Sequence, residues 1–419
     1  MSRIKWHVQV ALVLRSLHLH DSNPTLQGVA CDTLGNLLQE QSNTEQFLRL
    51  GGVDAVLHVI NANMSHTRVM EAACFLLGNV ASSEEGLKHI AKHGGGTVAL
   101  TVIKSHLQDA ELLREILFLV SNMGQSSQLQ ADLVRAGAVE AVIQVMETHG
   151  TSSEIMAMGC SALDNLIATS EGDVGAHKQQ PPVSKGAFEA CVRALTNHSS
   201  DPSVVRRSAG AIATMGAIQP RSPLLVANAE LIDALAKGGR SMMMTGKQDA
   251  QALVQVLRAL EVVADYPENR AFLICPGGPV SLAVSISQSA NARPAPVARG
   301  LALVAKLCES AHQRSKAGQG QQEGQVSEEH GLEMVVKSLA TFWNHPSVVI
   351  PACTIIAAMA KGVLVWACGC GCGCGCLVWS CECPSCNIHL SSCMCVFIAL
   401  LGLFENQLYL LWGSCAKET

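Results

Sequence analysis

The sequence predicts an all-α solenoid, and three observations carry that prediction. Asn36, Asn79, Asn122 and Asn165 are each separated from the next by 43 residues. Around them apolar residues recur at i, i+3, i+4 and i+7, as Val69, Ala72, Ala73 and Leu76 do; that is the one-sided pattern of a helix. Glycines punctuate the pattern at Gly51, Gly95, Gly137, Gly278 and Gly331, where a helix-ending turn needs a left-handed backbone at little steric cost. A fixed period of this length marks stacked helical units, none of which can bury its apolar face alone.

The composition agrees. Apolar residues make up 48% of the 419 residues but aromatics only 4%. The core is therefore built from Ala, Leu, Val, Ile and Met, which suit packed helices better than sheets. The net charge of −5 and the scarcity of basic runs argue against general nucleic-acid binding. The seven cysteines before residue 362 are scattered, several of them in apolar helical settings such as Cys31, Cys74 and Cys160. Cysteines of that kind behave as small buried hydrophobes in a reducing compartment, so the expected location is the cytoplasm or nucleus.

The elements follow in order. "MSRIKWHVQVALVLRSLHLHD" opens the chain as a helix; Arg15 interrupts the apolar run and no small-residue cleavage site follows, so it does not read as a signal peptide. Three blocks then align without gaps: "ACDTLGNLLQEQSNTEQFLRLGGVDAVLHVI" from Ala30, "ACFLLGNVASSEEGLKHIAKHGGGTVALTVI" from Ala73, and "EILFLVSNMGQSSQLQADLVRAGAVEAVIQVM" from Glu115. "GCSALDNLIATSEG" from Gly159 continues the series. Each unit divides into three helical pieces: one before a polar break such as "NANMSHT" or "NHSSDPS", a longer one, and one ending near the glycine. Small residues at Gly28, Ala30, Ala73, Gly159, Ala209 and Gly210 allow neighbouring helices to approach closely.

Loop insertions are expected near 172–184 and at 312–329, the latter having almost no apolar residue to bury. Between and beyond them the pattern loosens, and Thr214, Val262, Ala305 and Ala358 stand at the asparagine's place. The solenoid is assigned to 1–361 and a low-complexity Cys/Gly-rich and apolar tail to 362–419.

A three-helix unit of 42–49 residues with "AL-x-N-L" and "AGA-V-x-A-V" signatures resembles the armadillo repeat. The resemblance covers about residues 6–361, is most specific over the first four units, and implies a right-handed superhelix of some seven or eight repeats. HEAT-type repeats are the nearest alternative; the third helix and the asparagine argue against them. The resemblance further implies a concave groove in which such asparagines bind the backbone of an extended peptide. The peptide-groove candidates are Asn36, Asn79, Asn122 and Asn165, with Phe75 and Phe118 as possible groove aromatics. An Asn amide carries donors and an acceptor, so it can pair with a peptide group as a strand would. The opposing reading has these amides bonding only to neighbouring loops, and the two phenylalanines filling the core.

Nuclear import receptors of this family carry Trp four residues before the Asn; here Asp32, Phe75, Phe118 and Ser161 stand there, and no acid ladder is visible in register. That departs from cargo import. Enzymatic motifs fail on inspection. "HIAKH" (His89–His93) lacks the glutamate of a zinc helix and reads as a helix end. "TGKQ" lacks a phosphate loop's spacing, and "GGGT" is a repeat turn. The function expected is a non-enzymatic scaffold, without cofactor, that binds a partner protein or peptide. The alternative is an accessory armadillo region of a larger multidomain protein, such as a kinase-associated solenoid.

The tail contains "WACGCGCGCGCLVWSCECPSC". Cys381, Cys383 and Cys386 are weak thiolate metal candidates, because alternating Cys-Gly lacks the paired CxxC spacing. A membrane span at 394–412 would place Glu405, Asn406 and Gln407 in lipid, although a membrane-anchored adaptor would follow if it were real. Trp, Cys, Gly, Val and Leu are all encoded by G/T-rich codons. The run therefore also reads as the translation of one nucleotide repeat, an intron read through to its first stop.

Overall fold

Helices form where the periodicity places them. The computed structural model describes residues 2–168, 184–219, 222–244, 249–316, 334–342 and 344–356. The chain divides into a unit at Met1–Val365 and another at Trp366–Thr419, and the latter lies outside the described residues. Cys381, Cys383, Cys386 and the 394–412 segment therefore lie outside them too.

Helix α1 (Ser2–Leu19) and α2 (Pro24–Leu37) begin the first unit. Three regular units follow, each a short, a middle and a long helix. The first has α3 (Gln41–Arg49), α4 (Gly52–Ala62) and α5 (Thr67–Val80). The second has α6 (Glu84–Lys92), α7 (Gly95–Ser105) and α8 (Ala110–Met123). The third has α9 (Ser127–Arg135), α10 (Ala138–Thr148) and α11 (Ser153–Ile167). Then come α12 (Lys185–Asn197), α13 (Pro202–Ile218), α14 (Ala229–Met244) and α15 (Ala250–Val263). A 3-10 turn at Pro267–Asn269 leads into α16 (Arg270–Ile274), α17 (Pro279–Gln288) and α18 (Pro294–Lys316). Helices α19 (334–342) and α20 (Pro346–Ile356) end the described part. Residues 312–316, expected in a loop, continue α18.

Local chemistry starts and stops these helices. Asn23, Asp109, Ser152, Asp201 and Asp249 each cap a long helix by accepting a backbone N–H with the side chain. The short-to-middle turns use left-handed glycine at Gly51, Gly94, Gly137 and Gly277. Two of these differ from the expected Gly95 and Gly278. The left-handed residue comes after the short helix's C-cap, and consecutive glycines hide that register in sequence. Gly95 is instead the first residue of α7, where a Cβ would lie 2.5 Å from Ile90 Cγ2. "HIAKH" ends α6, with His93 as its C-cap and its Nδ1 3.4 Å from Asp54 Oδ1.

The long helices α2, α5, α8, α11, α13, α15 and α18 pack in succession as one row; the middle helices form a second row behind them. Leu76, Leu77, Ile103, Leu112, Ile116 and Leu117 lie fully buried among them. Each such side chain contributes about 1.5–3 kcal/mol on burial. Among the described residues no single helix is long and apolar enough to cross a membrane.

A second ladder runs along the ends of the middle helices, at their C-caps Asn63, His106, His149 and His198. His106 Nε2 donates to Met64 O at 2.9 Å, His149 Nε2 to Leu107 O at 2.8 Å, and His198 Nε2 to Gly150 O at 2.8 Å. Each imidazole thus satisfies a carbonyl one residue past the previous unit's cap.

Candidate functional site: the face of the long-helix row

Near the C-terminal end of each early long helix stands the asparagine. Asn79 Nδ2 donates to Gly35 O at 3.1 Å, Asn122 Nδ2 to Gly78 O at 3.0 Å, and Asn165 Nδ2 to Ser121 O at 2.8 Å. Every acceptor is the residue just before the asparagine of the preceding layer. The amides therefore stitch adjacent long helices together. Asn165 uses its amide nitrogen a second time, on Ser121 Oγ at 3.2 Å. Asn79 and Asn122 keep the carbonyl oxygen and one N–H without a partner among the described residues. All three are half-buried, whereas Asn36 is exposed.

The position four residues earlier is matched to the layer before it. Phe75 lies over Gly35 and Phe118 over Gly78. A Cβ at Gly35 would meet the Phe75 ring at 2.9 Å, and one at Gly78 would meet the Phe118 ring at 2.6 Å. At the next joint Ser161 Oγ meets Ser121 Oγ at 2.9 Å. At the one after, Asp164 faces Gly210, whose missing Cβ would lie 3.7 Å from Asp164 Oδ2. Large residues meet small ones and hydroxyls meet hydroxyls, so the joints are complementary one by one. Both phenylalanines are half-buried: one part of each ring closes a joint and the other part stays on the row's surface.

The joint around Gly210 is polar. Asp164 Oδ1 and Gln255 Oε1 are buried without a hydrogen-bond partner. Burial pushes the Asp164 carboxyl above the ordinary carboxylate range, opposed by a hydrogen bond with Thr214 and by Arg258. Glu115 is raised by burial and by Glu71 and Glu111, against the pull of Arg114. Burial also raises Glu261, opposed chiefly by Arg299.

Charged side chains link the layers along the row. Arg68 joins Asp32 at 2.7 Å and Glu71 at 3.0 Å. Arg114 reaches Glu115 at 2.8 Å, Glu111 at 3.6 Å and Glu154 at 3.7 Å. Further on, Arg206 bonds Gln251 at 3.1 Å, Arg299 bonds Glu261 at 2.9 Å, and Lys306 pairs with Asp265 at 2.6 Å. No group of His, Cys, Asp and Glu among the described residues has the geometry of a metal site.

Residues 3–201 match the family model described as "Protein zer-1 homolog-like, C-terminal domain". No curated protein matches. Among solved structures, the chain is similar to one described as "A conserved phosphorylation switch controls the interaction between cadherin and beta-catenin in vitro and in vivo". The identity is 14% and the TM-score 0.48, covering 84% of this chain and 78% of that one. With its short, middle and long helices repeating in layers and its asparagines in register, the protein has an armadillo-like fold.

Proposed function

We propose that the protein is a non-enzymatic interaction scaffold that holds an extended segment of a partner protein along the long-helix face. The observation that supports this most is the amide row. Asn79 and Asn122 each spend one N–H on the layer joint and retain an acceptor and a second donor, and Asn36 is uncommitted and exposed. Layers about 10 Å apart and strand residues about 3.3 Å apart give about three ligand residues per layer. Half-exposed Phe75 and Phe118 would supply apolar contact between the amides. Binding needs no cofactor or metal, and we place the protein in the cytoplasm or nucleus. Burial in the fold keeps thiols such as Cys31, pushed up to about 12, protonated and inert.

The test is selection of a random peptide library displayed on phage, followed by amide exchange of the chain with a selected peptide. Protection confined to the long-helix row is expected, with loss of affinity in Asn36→Ala, the one ladder variant that breaks no layer joint. Protection on the middle-helix row instead would refute the reading. A second reading, the accessory region of a larger assembly, draws on exposed Leu12, Leu19 and Val29 (59%, 66% and 58%) in the first two helices. It is also in keeping with a family model that describes one domain of its own proteins.

A further inference from the structure

The charge on the long-helix row is segregated end from end. Helices α2, α5, α8 and α11 carry Asp32, Glu71, Glu111, Glu115, Glu154 and Asp164, against Arg68 and Arg114. Helices α13, α15 and α18, as far as Cys308, carry Arg206, Arg207, Arg258, Arg299 and Lys306 against Glu261, with Asp265 just past α15 paired to Lys306. The sign changes between α11 and α13, at the Asp164–Gly210 joint. The near-neutral total hides this, because the two halves cancel in the sum.

Cancellation does not extend to a bound chain. Layers spaced by about 10 Å put the centres of the two halves several Debye lengths apart, a Debye length being about 8 Å at physiological ionic strength. A residue lying on one half therefore feels that half. The ion pairs within each half leave a surplus: Arg114 is shared by Glu111, Glu115 and Glu154, while Arg206 is matched only to an uncharged glutamine. Glu111 and Glu154 are 74% and 75% exposed, and Arg206 and Arg258 are half-buried, so the surplus is accessible to a ligand.

Resting on the groove reading above, we propose that the partner segment is itself bipolar. A run of Lys or Arg lies over α2 to α11, and a run of Asp or Glu lies over α13 to α18. Charge complementarity sets the register along the row, because sliding by two or three layers brings like charges together at the Asp164 joint. The spare asparagine groups hold the segment's backbone without reading its sequence. Recognition is thus by the order of charged blocks in a stretch of roughly 20 residues, at about three residues per layer over the seven long helices.

Fluorescence anisotropy with labelled synthetic peptides of about that length tests the proposal. One peptide carries lysines in one half and glutamates in the other, a second reverses their order, and a third has the same composition with the charges alternating. One of the two block orders is expected to bind at least tenfold more tightly than the alternating peptide. Glu111→Lys with Glu154→Lys should abolish that preference, as should Arg206→Glu with Arg299→Glu, while the far-ultraviolet circular dichroism stays unchanged. Block and alternating peptides within twofold of each other would overturn the bipolar ligand; protection of the long helices by phage-selected peptides would then leave the groove reading standing. Absence of protection with every peptide would overturn both.

Discussion

Gly78 is the position where the row's packing is most directly testable. Its carbonyl accepts from Asn122, and its missing Cβ makes room for Phe118. Alanine there would place Cβ 2.6 Å from Phe118 Cδ1 and 2.8 Å from Cε1. Carbon atoms pack at about 3.5–4.0 Å, so the ring must retreat by roughly 1 Å. Forcing a methyl into such a joint costs about 1–3 kcal/mol, offset by about 1 kcal/mol from alanine's better helix propensity. Gly78→Ala should therefore lose up to about 2 kcal/mol. Phe118→Ala, which trims a half-buried ring, should lose about 1–3 kcal/mol. In the double variant the clash is gone and only the propensity gain remains. The cycle should thus show a coupling of about 1–3 kcal/mol in favour of the pair. Native-state amide exchange of α5 and α8 is the suitable assay, because repeat arrays open locally and need not unfold as one unit. The Gly35–Phe75 pair, with approaches of 2.9 Å, should give the same sign and a smaller coupling. Additive losses at Gly78 and Phe118, within about 0.5 kcal/mol, would refute the joint as drawn.

The buried carboxyls and the histidine ladder yield two more tests. Asp164, Glu115 and Glu261 all have raised pKa values. Each binds protons more readily folded than unfolded, so its favourable contribution is complete below the unfolded value and fades as pH rises through the folded one. For Asp164 the unfolded value is 3.8. Asp164→Asn should consequently gain on the wild type as pH increases from about 4 towards neutrality in urea titrations; a variant whose lag or lead is independent of pH would contradict this. His149→Ala leaves Leu107 O without its donor and should cost about 1–2 kcal/mol. The loss should appear as faster amide exchange where α7 meets α10, and exchange unchanged there would remove the ladder's role.

Much of the architecture was legible because it rests on short-range regularities. The 43-residue interval located every early asparagine, the apolar periodicity located the long helices, and Arg15 marked the first segment as a helix. The same interval separates His106 from His149, so the second ladder was readable as well; the residues looked like break residues and hid it. The left-handed position at Gly94 was not readable, since three consecutive glycines give no register. The early joints were half legible. Glycine at 35 and 78 and phenylalanine at 75 and 118 each repeat, but only packing shows that the ring of one unit fills the gap in the unit before it.

The sequence by itself determined the repeat, its helices and the place of its asparagines, because these follow from interactions within about four residues of one chain. The tertiary structure alone decided what those residues touch. Stacking brings together residues some 44 positions apart, such as the Asn79 amide with the Gly35 carbonyl, and lines up the acid-bearing and base-bearing long helices in one row whose face they charge. Coulomb interactions act through space, so the sign of that face is a property of the stack.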